Sequence, residues 1–312
     1  MDPGRAFPRG LRAGSYLRDL SHVVPELGQL ARLTVTIPYN RDSADLTPRH
    51  WTRLARLIDG HRDGFDAFVV VHGTDTMAFT ASALSFALAG LGKPIVLTGS
   101  QRPLKEIRSD ARQNLINAVT AAASGKLHEV AICFGSFLLR GNRARKMSTA
   151  RFDAFQSPNW PPLARLGLFV EWQDSALLPR RLDYVPAFGF GGAVARLPIV
   201  PGQDPRMFAG LRADAILLEG FGTGNIPGGG AGWLEQIRAW TRRGALVVLS
   251  TQCVEGPLSP ELYEAGRQAL LAGAISAEGM TREAILVKLQ FCLKNQRDFR
   301  GDIAGEGCVR ER

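Results

Sequence analysis

The feature that most restricts this chain is an alternation of short apolar runs and helix-length stretches. Phe68-Val69-Val70-Val71 ends in His72-Gly73-Thr74-Asp75, before an apolar stretch that reaches Leu91. Gly92-Lys93-Pro94 stops that stretch, Ile95 to Leu97 forms the next run, Asn114 to Ala123 a helix, and Val130 to Phe134 a third run. Runs without polar alternation fit strands covered on both faces, and strands alternating with helices imply parallel β-α-β winding. Upstream, Thr47-Pro48 predicts an N-cap and a first-turn proline, opening a helix in which Trp51, Leu54, Leu57 and Ile58 share one face. The expected fold class is α/β, with a parallel doubly wound N-terminal sheet. Ligands of such sheets lie beyond the carboxyl ends of the strands. His72 to Asp75 and Thr98-Gly99-Ser100-Gln101 fall there, so the two turns are expected to face one crevice.

A chain of 312 residues exceeds one ordinary core and suits two domains. Pro179, Pro186, Gly189, Gly191 and Gly192 interrupt the periodicity, which predicts a linker. The expected division is a first domain over 1–173, a linker over 174–192, and a smaller α/β domain over 193–312. Strands are expected there at Ala215 to Leu218 and Ala245 to Leu249, with helices at Gly232 to Arg242, Pro260 to Leu271 and Thr281 to Lys294. The net charge of +9 comes mostly from scattered Arg, a solvated surface instead of the clustered patch that nucleic acid needs, so no nucleic-acid partner is expected. Cys133, Cys253, Cys292 and Cys308 lack the close spacing of zinc or redox sites, which predicts reduced thiols and no metal. Behind Met1 to Arg5 no apolar run follows, so neither a secretory signal nor a membrane span is expected, and the cytoplasm is the default.

A threonine hydroxyl is a poor nucleophile until a base removes its proton, and a lysine kept neutral by burial or nearby charge can serve. Thr74 follows a buried strand and precedes a helix N-terminus, whose free N–H groups favour developing negative charge. Asp75 beside it suits a substrate ammonium. Thr74, Asp75 and Thr76 are also favoured helix caps, and locally capping is the stronger reading. Lys146, in the polar stretch Arg140 to Ser148, reads by itself as a surface lysine.

Val71-His72-Gly73-Thr74-Asp75-Thr76-Met77-Ala78 resembles the second signature of the L-asparaginase family. The likeness continues through Leu97 to Pro103, Arg108-Ser109-Asp110, Arg140-Gly141-Asn142-Arg143 with Lys146, and Phe152 to Phe155 with Ser157-Pro158-Asn159. Asp42-Ser43-Ala44-Asp45-Leu46-Thr47-Pro48 is similar to the family's substrate-binding loop, and Gly222-Thr223-Gly224-Asn225, Thr251-Gln252-Cys253 and Met280-Thr281 also match. The pattern looks most like the cytosolic type I branch. The resemblance implies hydrolysis of L-asparagine to aspartate and ammonia without metal or cofactor. Thr74 would be the hydroxyl of the rigid half of the site, Lys146 its base, and Asp75 the anchor of the α-amino group. Ser43 would bind the α-carboxylate, with Asp42 beside it, and Asn225 from the second domain would reach a neighbouring subunit's site in a homodimer or homotetramer. For Lys146 to act as base its pKa must fall from about 10.4, through burial and a nearby positive charge. Asp42 and Ser43 equally suit a turn before the Thr47 helix.

The family begins with a strand ending in Thr-Gly-Gly-Thr-Ile, whose last threonine attacks the amide carbon; this sequence holds no such signature. Met1-Asp2-Pro3-Gly4 would align just after it, and the tyrosine that follows it in the family has no clear match, with Phe7 near the place and Tyr16 further on. The expectation is an absent inner strand, unpaired neighbouring backbone, and doubtful activity. Ala44 stands where the family usually has a polar side chain. Glu219 stands about where some relatives use a basic residue for a second asparagine site, so allosteric activation is not expected. Two rivals follow: a catalytically silent binder of amino acids, and the glutaminase subunit of a tRNA amidotransferase.

Overall fold

A computed structural model describes residues 23–180, 184–228, 230 and 232–301; Met1 to Arg5, Phe7, Tyr16 and Cys308 lie outside them. The first sheet has the order β1-β2-β3-β4-β7-β8. Strands β1 (Phe68–Val71), β2 (Ile95–Thr98) and β3 (Val130–Phe134) are parallel, as the alternation predicts. Successive side chains of a strand point to opposite faces. Ile95, Leu97, Ile132 and Phe134 accordingly join the core on one face with Met77, Leu84 and Phe86. Val96, Ala131 and Cys133 join the other with Ala118, Ala121 and Ala122. Helix α2 (Met77–Ala87) therefore covers the first face and α3 (Ala111–Ala123) the second. Helix α1 (Pro48–Gly60) adds Trp51, Leu54 and Ile58 to the first.

Beyond β3 the sheet is antiparallel, through β4 (Phe137–Arg140), β7 (Ala164–Leu166) and β8 (Val170–Trp172), which the alternation did not predict. Only Gly135 and Ser136 join β3 to β4, far too few residues for a crossover. Gly135 has φ of +57°, and a Cβ there would collide with the Asp153 carboxylate, which accepts from the Ser136 N–H at 2.9 Å. The same loop region holds a two-stranded ribbon of β5 (Arg145–Lys146) and β6 (Phe155–Gln156).

The second sheet, order β12-β11-β10-β9, is wholly parallel and smaller. It comprises β9 (Val194–Pro198), β10 (Ala215–Gly220), β11 (Leu246–Thr251) and β12 (Ile275–Ser276). Helices α4 (Trp233–Arg242) and α5 (Glu264–Leu271) supply one face, with Trp233, Ile237, Trp240 and Ala269 packed on Ile216, Leu218 and Val247. Helix α6 (Arg282–Asn295) takes the other, and it is buried nearly all round. Its Ile285, Leu289 and Phe291 share one core with Leu217 and Val248 of the second sheet and Phe86 of α2. The stretch at the end of the expected linker is packed as well, since Phe190 lies 5.6 Å from both Trp51 and Phe291, ring to ring.

Candidate active site

Parallel strands in register end together: Val71 of β1 pairs with Thr98 of β2, and the His72 N–H donates to the Thr98 carbonyl at 2.8 Å. The two turns beyond them meet, as expected. A Cβ on Gly99 would land on the His72 carbonyl oxygen, so glycine permits the approach. The Thr74 hydroxyl donates to Gln101 Oε1 at a long 3.4 Å, while Gln101 Nε2 donates to the Arg151 carbonyl at 3.2 Å. The Asp110 carboxylate holds the Gln101 N–H at 3.0 Å. Sequence reasoning placed both residues in matching segments without giving either a role.

Lys146 enters from β5, whose partner Phe155 is buried against Phe134 at 5.0 Å between rings. Its Nζ donates to Thr74 Oγ at 2.8 Å and to Asp75 Oδ1 at 2.7 Å. The lysine side chain is 19% exposed and that of Asp75 67%, so the amine is sheltered and the acid faces the mouth. All three candidate catalytic residues are thus in contact. The capping alternative is not realised: α2 starts after Thr76, which makes no side-chain cap bond and instead donates from Oγ to the Ser43 carbonyl at 2.7 Å. The charged group that Lys146 contacts is an acid, the Asp75 carboxylate, not the positive neighbour asked of it. Arg145 beside it is turned toward Glu283 at 3.6 Å. In this resting arrangement the lysine is a donor to both partners.

The substrate-loop candidates divide. Asp42 is exposed and accepts from the Ala44 N–H at 3.0 Å, the turn role that the sequence left open. Ser43 is 4% exposed and lies against Gly73, where a Cβ would come within 2.7 Å of its Oγ. Asn225 is elsewhere, in the turn after β10, with its side chain accepting from the Ile226 N–H at 3.0 Å; no hydrogen bond links it to Thr74, Asp75 or Lys146. Glu219 of β10 is buried and gripped by Arg196 at 2.8 Å and Arg282 at 2.6 Å. Among the described residues no group of three or more His, Cys, Asp or Glu is placed to hold a metal ion, and no helix is long and apolar enough to cross a membrane. Among the described residues Cys133, Cys253 and Cys292 form no disulfide.

A hydroxyl, an amine and a carboxylate converging at the strand ends of a doubly wound sheet have the form of a hydrolase. Two family models cover most of the chain, "Asparaginase, N-terminal" over residues 9–177 and "Glutaminase/Asparaginase C-terminal domain" over 193–301. The chain is 41% identical over 270 residues to L-asparaginase 1 of Escherichia coli (strain K12), covering 82% of this chain and 77% of that one. It superposes on L-asparaginase I from Vibrio cholerae with a TM-score of 0.86 at 34% identity, covering 94% and 93% of the two chains. A glutamyl-tRNA(Gln) amidotransferase subunit of Methanopyrus kandleri is 36% identical over 293 residues, 85% of this chain and 63% of that protein. The chain belongs to the asparaginase family.

Proposed function

We propose that the protein hydrolyses the side-chain amide of L-asparagine to L-aspartate and ammonia, with Thr74 as the reacting hydroxyl, Lys146 as its proton acceptor and Asp75 as anchor for the α-ammonium. The observation that carries this is the double contact of Lys146 Nζ, 2.8 Å from Thr74 Oγ and 2.7 Å from Asp75 Oδ1. An α-ammonium arriving at Asp75 replaces the lysine as the carboxylate's partner and leaves the amine facing the hydroxyl. A neutral Lys146 then takes the Thr74 proton as Oγ bonds to the amide carbon, and returns it to nitrogen as the C–N bond breaks and ammonia leaves. Water cleaves the resulting ester and releases L-aspartate. Ser43 is assigned to the α-carboxylate, with Asp42 beside it in the loop. We assign the cytoplasm as the place of action, and a homodimer or homotetramer as the working form, with Asn225 of a second copy closing the pocket.

A second reading is a silent amino-acid binder, favoured by the resting contact in which Lys146 donates to the Asp75 carboxylate as well as to Thr74. Calorimetry with L-asparagine run beside an ammonia assay separates the two. Saturable binding with ammonia release is expected; binding without release supports the binder, and no binding refutes both. The amidotransferase reading requires tRNA binding that weakens steeply with salt. Its absence disposes of that rival.

A further inference from the structure

His72 has no role in the proton transfer proposed above, yet it is buried and fully hydrogen-bonded beside Thr74. Its Nδ1 lies 2.6 Å from the Gly73 carbonyl, and its Nε2 2.8 Å from Thr80 Oγ. Thr80 is wholly buried in the first turn of α2, and its Oγ accepts from Trp51 Nε1 of α1 at 3.2 Å. The proton positions follow from what each group can do. The indole only donates and the carbonyl only accepts, so Nδ1 carries the imidazole hydrogen. Burial pushes the ring toward the neutral form, outweighing the contact with the Gly73 carbonyl. Nε2 is then a bare acceptor, and Thr80 has one hydrogen to give it. The chain runs in one direction, from Trp51 through Thr80 and His72 to the Gly73 carbonyl, with every member satisfied.

The geometry points to His72 as a positioning residue, which, held as its Nδ1–H tautomer by Thr80, sets the plane of the Gly73–Thr74 peptide and so the direction of the Thr74 hydroxyl toward Lys146. The peptide is planar, so pinning the Gly73 oxygen on one side aims the Thr74 N–H to the opposite side and fixes where the Thr74 Cα begins. Other contacts leave that peptide little freedom. The Gly73 Cα lies against Ser43, and Thr76 Oγ holds the Ser43 carbonyl at 2.7 Å. Without the imidazole hydrogen the Gly73 carbonyl would lose the side-chain donor that fixes its direction, and the peptide would be free to turn. The role rests on the asparaginase reading of Thr74, Asp75 and Lys146, and it extends that site to two residues on α1 and α2.

The test uses the intact protein and L-aspartate, whose binding needs no turnover. Imidazole ¹⁵N spectra should show neutral His72 as the single Nδ1–H tautomer, with protonation beginning only below the ordinary pKa of 6.5. Thr80→Val, which leaves Nε2 without its donor and lets the ring turn away from Gly73, should mix the tautomers and weaken L-aspartate by about tenfold or more. Thr80→Ser, which restores the hydroxyl, should recover both, and a purely structural Thr80 would lower the melting midpoint without moving the ring spectrum. Affinity unchanged within about twofold when the tautomer is lost would overturn the positioning role. So would a wild-type ring that titrates normally while L-aspartate binds. A wild type with the single tautomer that binds no L-aspartate refutes the asparaginase reading, and the positioning role falls with it.

Discussion

Lys146 illustrates how little a residue reveals alone. In its polar stretch it reads as a surface lysine, and only the family pattern singles it out, yet its amine touches both other members of the site. General acid–base groups typically contribute two to four powers of ten. Lys146→Met is therefore expected to lower ammonia release from L-asparagine by about a thousandfold while the protein stays folded, and retained activity would break the pairing with Thr74. His72 makes a prediction about stability. Its native pKa lies below the ordinary 6.5 because the ring is buried. Below pH 6.5 the unfolded chain binds a proton that the native ring refuses, so stability falls with pH until the native ring itself titrates. The loss approaches about 1.4 kcal/mol per pH unit in that window. His72→Asn should flatten the acid limb of the melting midpoint; identical limbs in the two proteins would refute the assignment.

Among the elements, β5 is two residues long, and no periodicity can reveal so short a strand, although it carries Lys146. The antiparallel strands β4, β7 and β8 were missed because the alternation that made β1 to β3 legible predicts parallel crossovers, whereas a two-residue turn reverses the chain at Gly135-Ser136. Most of the longer elements were legible to within a few residues, since β-branched runs and apolar periodicity are local signals, but β9, with Arg196 and Pro198 interrupting its apolar run, was not. Glu219 belongs to this scale too, because it ties β10 to β9 through Arg196 and to α6 through Arg282. The arginine side chains are 39% and 23% exposed, so they regain water when the carboxylate is removed. Glu219→Gln should therefore cost about 2 kcal/mol, less than a fully buried triad would. Chemical denaturation measures it, and a stabilised variant would contradict the role of the ion pairs.

At the scale of the molecule, length argued for two domains, and two sheets are present, but helix α6 joins them. Phe291 sits 6.0 Å from Phe86 of α2 and 5.6 Å from Phe190, ring to ring. Truncating a buried phenylalanine costs about 3 to 5 kcal/mol. Because the core is continuous, Phe291→Ala should lower a single shared melting transition that α2, and the site at its start, reports together with the second sheet. Two separated calorimetric transitions in the wild type would show that the sheets unfold independently.

The sequence by itself determined the α/β class, the positions of most of the long strands and helices, and the family. Those depend on local periodicity and on motifs that survive as strings. It also named Thr74, Asp75 and Lys146, though with capping and surface readings still open. Only the tertiary structure decided that Thr76 leaves the helix uncapped, that the lysine faces a carboxylate instead of a second cation, and that Asp42 is occupied in a turn. It alone revealed the path from Trp51 through Thr80 to His72. Hydrogen bonds between side chains 29 and 8 residues apart depend on how helices pack on a sheet, and no local pattern in the chain encodes that distance.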